Sequence, residues 1–238
     1  MSPPNEPKPV CAVVGVGPGN GAAFGRAMSA KGHQVALLAR NADYLEDLAA
    51  EIDGAKAFRC DVTEPEAVKN TFEAIARDLG PVDVLLYNAG SGRFGDFDGA
   101  SAEDMRSSWE VNVLGLFHCA KQVVDSMVRK GRGNIVVTGA TASLRGGANF
   151  TAFASAKAAQ RSLAQSMARH LGPKGIHVSL FIVDGIIDLP RTRKAMPDAP
   201  DERFMNPDHI AESVVHLIEQ PPSAWTFEMD LRPFGEKW

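Results

Sequence analysis

Residues 10–25 read VCAVVGVGPGNGAAFG. Five apolar residues run into four glycines within seven positions, Gly15, Gly17, Gly19 and Gly21, and a stretch suited to a helix follows. Glycine has no β-carbon, so such a junction permits a tight turn and the close approach of a pyrophosphate to a helix N-terminus. Four glycines placed between the first strand and the first helix point to a dinucleotide cradle in preference to an ordinary turn.

The pattern repeats outward from this junction. Short apolar runs at 10–16, 34–39, 56–60, 82–87, 134–139, 177–183 and 226–231 read as strands. Most are continuously apolar, as expected of strands buried on both faces of a parallel sheet. Helical patterns lie between them at 21–31, 43–51, 64–79, 103–130, 152–171 and 208–219. Regular strand–helix alternation predicts an α/β protein: one Rossmann domain over 10–238, with a seven-stranded, mostly parallel, doubly wound sheet and helices on both faces. Residues 1–9 read as a disordered lead-in. Ligands are expected beyond the carboxyl ends of the strands.

Composition narrows the class. The 238 residues are 45% hydrophobic and 23% charged, with a net charge of -4. An acidic chain without clustered cations argues against nucleic acid. No apolar run is long enough to span a bilayer, and the polar, proline-rich start lacks the core of a signal peptide. Cys11, Cys60 and Cys119 show no paired spacing, which suits a reducing cytoplasm and neither disulfides nor a metal site. At the end of the second strand, where an NAD site usually has an acidic residue for the ribose hydroxyls, the chain has Ala39 and Arg40. A guanidinium suits a 2′-phosphate, so NADP is expected ahead of NAD.

These motifs together resemble the short-chain dehydrogenase/reductase family over nearly the whole chain. Gly15, Gly19 and Gly21 match its glycine motif, with Val14 in place of the threonine. The resemblance places Asp61 and Val62 of CDVT beside the adenine, and Asn88, Ala89 and Gly90 of YNAG under the ribose. It makes Asn112 of VNVLG the helix-breaking asparagine that anchors a relay water, and Lys157 the lysine of YxxxK. It also implies a homodimer or homotetramer built on the helices at 103–130 and 152–171, and a substrate lid near 189–208 that would be mobile.

Two departures decide how the chemistry is read. The family's tyrosine is Phe153 here, and its serine, thirteen residues earlier, is Ala140. Neither side chain has an exchangeable proton. Thr138, Thr141 and Ser143 lie near the lost serine, although small hydroxylated residues after a strand are commonly turn formers. After the sixth strand, Asp184, Gly185, Ile186 and Asp188 occupy the loop that frames the nicotinamide in the family. Asp184 and Asp188 are either general acids of raised pKa or a helix cap and a solvated loop charge. The readings left open are an NADP(H)-dependent oxidoreductase acting on a small apolar substrate with an atypical donor, Lys157 among the candidates; a catalytically degenerate NADP(H) sensor or scaffold; and a lyase or isomerase using an aspartate as base.

Overall fold

The computed structural model describes residues 7–90 and 92–236. Residues 1–6 of the expected lead-in, and the terminal Trp238, lie outside the described residues. Seven parallel strands form one sheet: β1 (Val10–Val14), β2 (Gln34–Ala39), β3 (Ala55–Arg59), β4 (Val82–Tyr87), β5 (Gly133–Ala140), β6 (Ile176–Val183) and, near the C-terminal end, β9 (Glu228–Leu231). Their order is β3-β2-β1-β4-β5-β6-β9, so the winding reverses between β1 and β4. A crevice opens at that reversal, outside the strand ends.

Alternation along the strands sorts the core into two layers. Val10, Ala12 and Val14 face α3 (Pro65–Asp78), α5 (Gly115–Lys130) and α6 (Thr151–Leu171), through Phe72, Leu116, Val123 and Ala164. Cys11 and Val13 face α1 (Asn20–Ala30), α2 (Ala42–Glu51) and α8 (Pro207–Ile218), through Phe24, Met28, Leu45 and Val214. The three cysteines are buried and free. Among the described residues, no helix is long and apolar enough to cross a membrane.

The stretch expected as one helix over 103–130 is interrupted. α4 (Ala102–Trp109) opens on a capping box from Ser101 and Asp104, then widens into a π-turn at Glu110–Leu114 before α5 resumes. A π-turn leaves main-chain carbonyls without their usual helical partners. Here Tyr87 Oη donates to Val111 O at 2.5 Å, and Gln160 Nε2 donates to Asn112 O at 2.8 Å. The widened turn is therefore held from β4 and from α6.

The segment expected as a lid carries regular structure. The short strands β7 (Ile186–Ile187) and β8 (Phe204–Met205) pair in parallel and bracket α7 (Pro190–Ala195).

Candidate active site

The glycine loop is built by contact with the end of β4. Gly15 has φ +86°, and a β-carbon there would collide with the main chain of Asn88 and Ala89. Its N–H and that of Val16 both donate to Leu38 O, at 2.9 and 3.0 Å. Asn88 Nδ2 donates to Gly15 O at 2.8 Å, and Asn88 Oδ1 accepts from Thr138 Oγ1 at 3.1 Å. Asn88 thus laces the loop to β5. At Gly21 a β-carbon would lie 2.6 Å from Val16 Cα, so the loop closes tightly on the first turn of α1.

Gly17 differs: nothing lies within 4 Å of where its β-carbon would be. No acidic residue occupies the first turn of α1. Beside Gly17, Asn20 is 5% exposed, and neither amide atom of its side chain has a partner. An open glycine face, a helix start without acids and a buried unpaired amide fit a bound anion such as a pyrophosphate. Leu189, at the head of α7, touches this loop, since a β-carbon on Gly19 would come within 2.8 Å of its Cδ2.

The adenosine side is simpler. Arg40 is exposed at the end of β2 and has no ion pair among the described residues. Asp61 Oδ1 accepts from Thr63 N at 3.0 Å and from Thr63 Oγ1 at 2.8 Å, which fixes that carboxylate by its own turn. Val62 is buried beside it.

Lys157, Asn112, Gly90 and Phe153 come together on the other side. Lys157 is 4% exposed. Its Nζ donates to Thr138 O at 2.8 Å and to Gln160 Oε1 at 2.9 Å, and lies 6.0 Å from the Phe153 ring centre. A β-carbon at Gly90 would lie 3.8 Å from that nitrogen and 3.5 Å from Asn112 Oδ1. Burial alone lowers the Lys157 pKa to about 7. Asn112 Nδ2 donates to Ser108 O at 2.8 Å, while its Oδ1 is buried without a partner.

Two of the hydroxyls near Ala140 donate elsewhere, and the third accepts a main-chain N–H. Thr138 donates to Asn88, Thr141 Oγ1 donates to Asp184 Oδ1 at 2.5 Å, and Ser143 Oγ accepts from Ala140 N at 3.1 Å. Tyr87 is wholly buried on the π-turn, and burial drives its phenol well above its ordinary pKa. Thr138, Thr141 and Tyr87 spend their protons on other groups and do not stand in for the missing tyrosine and serine.

Of the two readings of Asp184 and Asp188, the contacts of both side chains are those of structural ties. Asp188 is gripped by both arms of Arg193 at 2.7 Å, and the guanidinium holds its carboxyl below the usual range. Arg193 also pairs with Asp201 and lies over the Phe204 ring at 3.9 Å. Asp184 binds Thr141 and, at 3.3 Å, Arg232 from the C-terminal tail. Asp184 therefore ties β5, β6 and the tail together. Gly185 packs under that tail, where a β-carbon would lie 2.6 Å from Pro233 Cδ and 2.9 Å from Met205 Sδ, and Ile186 pairs with Phe204.

An aromatic wall rises over the lysine. Phe94 meets Phe150 and Phe153 edge-on, with centroids 5.2 and 5.5 Å apart. Its loop is stitched to the start of α6 by Gly95 N donating to Asn149 O and Thr151 N donating to Gly95 O. Phe94 and Phe97 are 66% and 82% exposed.

The sequence reading passed over Gln160, Asn20 and Phe94. Gln160 had a signal, an amide three residues after Lys157 and so on the same helix face. Phe94 lay in a loop with no period to read.

This cradle and lysine, set at the winding reversal of a parallel sheet, are matched by a profile of the short chain dehydrogenase family over residues 9–199. The chain belongs to that family of oxidoreductases. The 3-oxoacyl-[acyl-carrier-protein] reductase of Mus musculus is 32% identical over 218 residues, covering 89% of this chain and 92% of that protein. An alcohol dehydrogenase from Thermococcus sibiricus, solved with 5-hydroxy-NADP, is 28% identical with a TM-score of 0.86, covering 97% of this chain and 98% of its own. A xylitol dehydrogenase solved with NAD+ is 25% identical with a TM-score of 0.86, covering 94% and 98%.

Proposed function

We propose that the protein is an NADP(H)-dependent oxidoreductase of a small apolar substrate, with Lys157 as the group that gives or takes the proton. The observation that carries this reading is a buried lysine under an aromatic wall, with no carboxylate partner among the described residues; burial lowers its pKa to about 7. A nicotinamide cofactor, when bound, supplies or accepts the hydride. The Gly15–Gly21 loop and Asn20 would hold its pyrophosphate, and Arg40 a 2′-phosphate. Both cofactor forms occur among the similar structures; the exposed arginine and the missing acid favour NADP here.

For carbonyl reduction, the Lys157 ammonium would protonate the oxygen as the new C–H bond forms, and the amine would regain its proton from solvent. A pKa near the working pH suits both halves of that cycle. Phe94, Phe150 and Phe153 favour an apolar substrate, since a polar one would lose water there without gaining partners. The exposed faces of α5 and α6 are proposed to pair with a second copy of the chain.

The test is a single-turnover assay of protein preloaded with NADPH, offered ketones, aldehydes, enones and imines. Loss of reduced-nicotinamide absorbance with one class, abolished in Lys157→Ala, supports the reading. A second reading, an NADP(H) sensor, is favoured by Phe153 and Ala140 at the oxygen-contacting positions and by the commitment of the Thr138 and Thr141 hydroxyls to other groups. It moves ahead when NADPH binds yet nothing oxidises it, even in Phe153→Tyr/Ala140→Ser.

A further inference from the structure

Gln160 is wholly buried and spends its side chain on two groups of the site: its Oε1 accepts from Lys157 Nζ, and its Nε2 donates to Asn112 O. We propose that Gln160 is a positioning residue whose amide clamps the Lys157 amine to the π-turn and leaves a single position on Nζ for proton exchange. The count follows from the amine. Thr138 O and Gln160 Oε1 accept from two positions on the nitrogen. The third bears the lone pair when the amine is neutral and the labile proton when it is charged.

An amide has no group that titrates near neutral pH, so the chain Lys157–Gln160–Asn112 cannot relay a proton inward. A proton given to a substrate oxygen breaks one N–H bond and forms one O–H bond. Its replacement must reach the same lone pair, from solvent, after the product leaves. The clamp therefore makes the lysine a donor with one door.

The surroundings leave this control to Gln160. Charged side chains on the elements packed around Lys157 are committed to other partners: Asp104 to Ser101 and Arg93, Glu103 to Arg106, Asp184 to Thr141 and Arg232, and Arg161 to Glu228. Glu110 of the π-turn is exposed. None of these charged groups is a cause of the amine's lowered pKa, which follows from burial.

The inference deepens the reading of Lys157 above, and its test uses the free protein so that the two fail separately. Lysine labelled with carbon-13 at the ε position is followed by NMR against pH, and the Lys157 signal is the one missing in Lys157→Met. In Gln160→Leu the charged amine loses an acceptor, and its midpoint is expected to fall by about one unit or more. In Gln160→Glu, close to isosteric, a carboxylate replaces the amide, and the midpoint is expected to rise by about one unit or more. Melting curves establish that each variant is folded, and a single folded variant suffices. A midpoint unchanged from wild type in a folded variant overturns the clamp. Midpoints that move as expected in a protein that reduces nothing leave the clamp standing and remove the oxidoreductase reading.

Discussion

Lys157 has neutral acceptors only, and its ionisation is coupled to folding. Its pKa falls from 10.5 to about 7 on burial. Between those values the unfolded chain binds the proton and the folded chain does not, so stability rises with pH through that window. Below about pH 7 both states are charged and the full penalty of the buried ammonium applies. At roughly 1.4 kcal/mol per unit this is a few kcal/mol, less the two bonds the amine makes. Lys157→Met should therefore melt above wild type at pH 6, with the gap closing by pH 10. A gap that does not change with pH would mean that the lysine titrates like a surface one. The residues that define the site were legible to unequal degrees. Phe153, Ala140 and Lys157 could be read from the resemblance, through the YxxxK motif and the serine position thirteen residues before it. Whether Asp184 and Asp188 were acids or ties depended on Arg232 and Arg193, and the distant Arg232 is brought to Asp184 only when β9 docks beside β6.

At the scale of elements, the glycine loop separates two kinds of glycine. Gly15→Ala forces a β-carbon into the main chain of Ala89 at φ +86°, and should cost about 2 kcal/mol or more in denaturant unfolding. Gly17→Ala meets nothing, so stability should change by less than about 1 kcal/mol. NADPH affinity, read by fluorescence titration, should nonetheless fall about tenfold or more, because the new methyl group occupies the open face of the cradle. Retained affinity in Gly17→Ala would place the pyrophosphate elsewhere. The segment expected as a lid is held by a different device, the grip of Arg193 on Asp188, Asp201 and the Phe204 ring. Arg193→Ala should speed proteolytic cleavage between α7 and β8, and unchanged cleavage would show that β7–β8 pairing holds the segment alone. The strands were legible because burial on both faces writes itself as unbroken apolar runs. The apolar pattern continues through 103–130 and hides the π-turn, which only the resemblance signalled, through its helix-breaking Asn112. Tyr87 and Gln160 bond its carbonyls from other elements, which a local pattern does not record.

At the scale of the whole molecule, the two core layers leave one face unfinished. Met105, Trp109, Leu114, Phe117 and Val128 are exposed along α4, the π-turn and α5. Phe117 and Val128 border a groove floored by Leu163 and Met167 of α6. Aromatic and aliphatic groups concentrated on one helical face are a usual sign of an interface, while scattered ones are not. Symmetric pairing of identical helices would bury such a stripe against its own copy. The charges around the groove, Lys121 and Arg129 with Asp125, allow opposite signs to meet across a two-fold axis. Phe117→Glu would put two unpaired carboxylates into that apolar contact, and desolvating them opposes association. The variant should sediment as a smaller species than wild type while keeping its melting profile at the monomer's own transition. A wild-type chain that sediments as a monomer would remove the second copy from the proposal. An oligomer indifferent to Phe117→Glu would move its interface to another face, such as the region around the exposed Phe234.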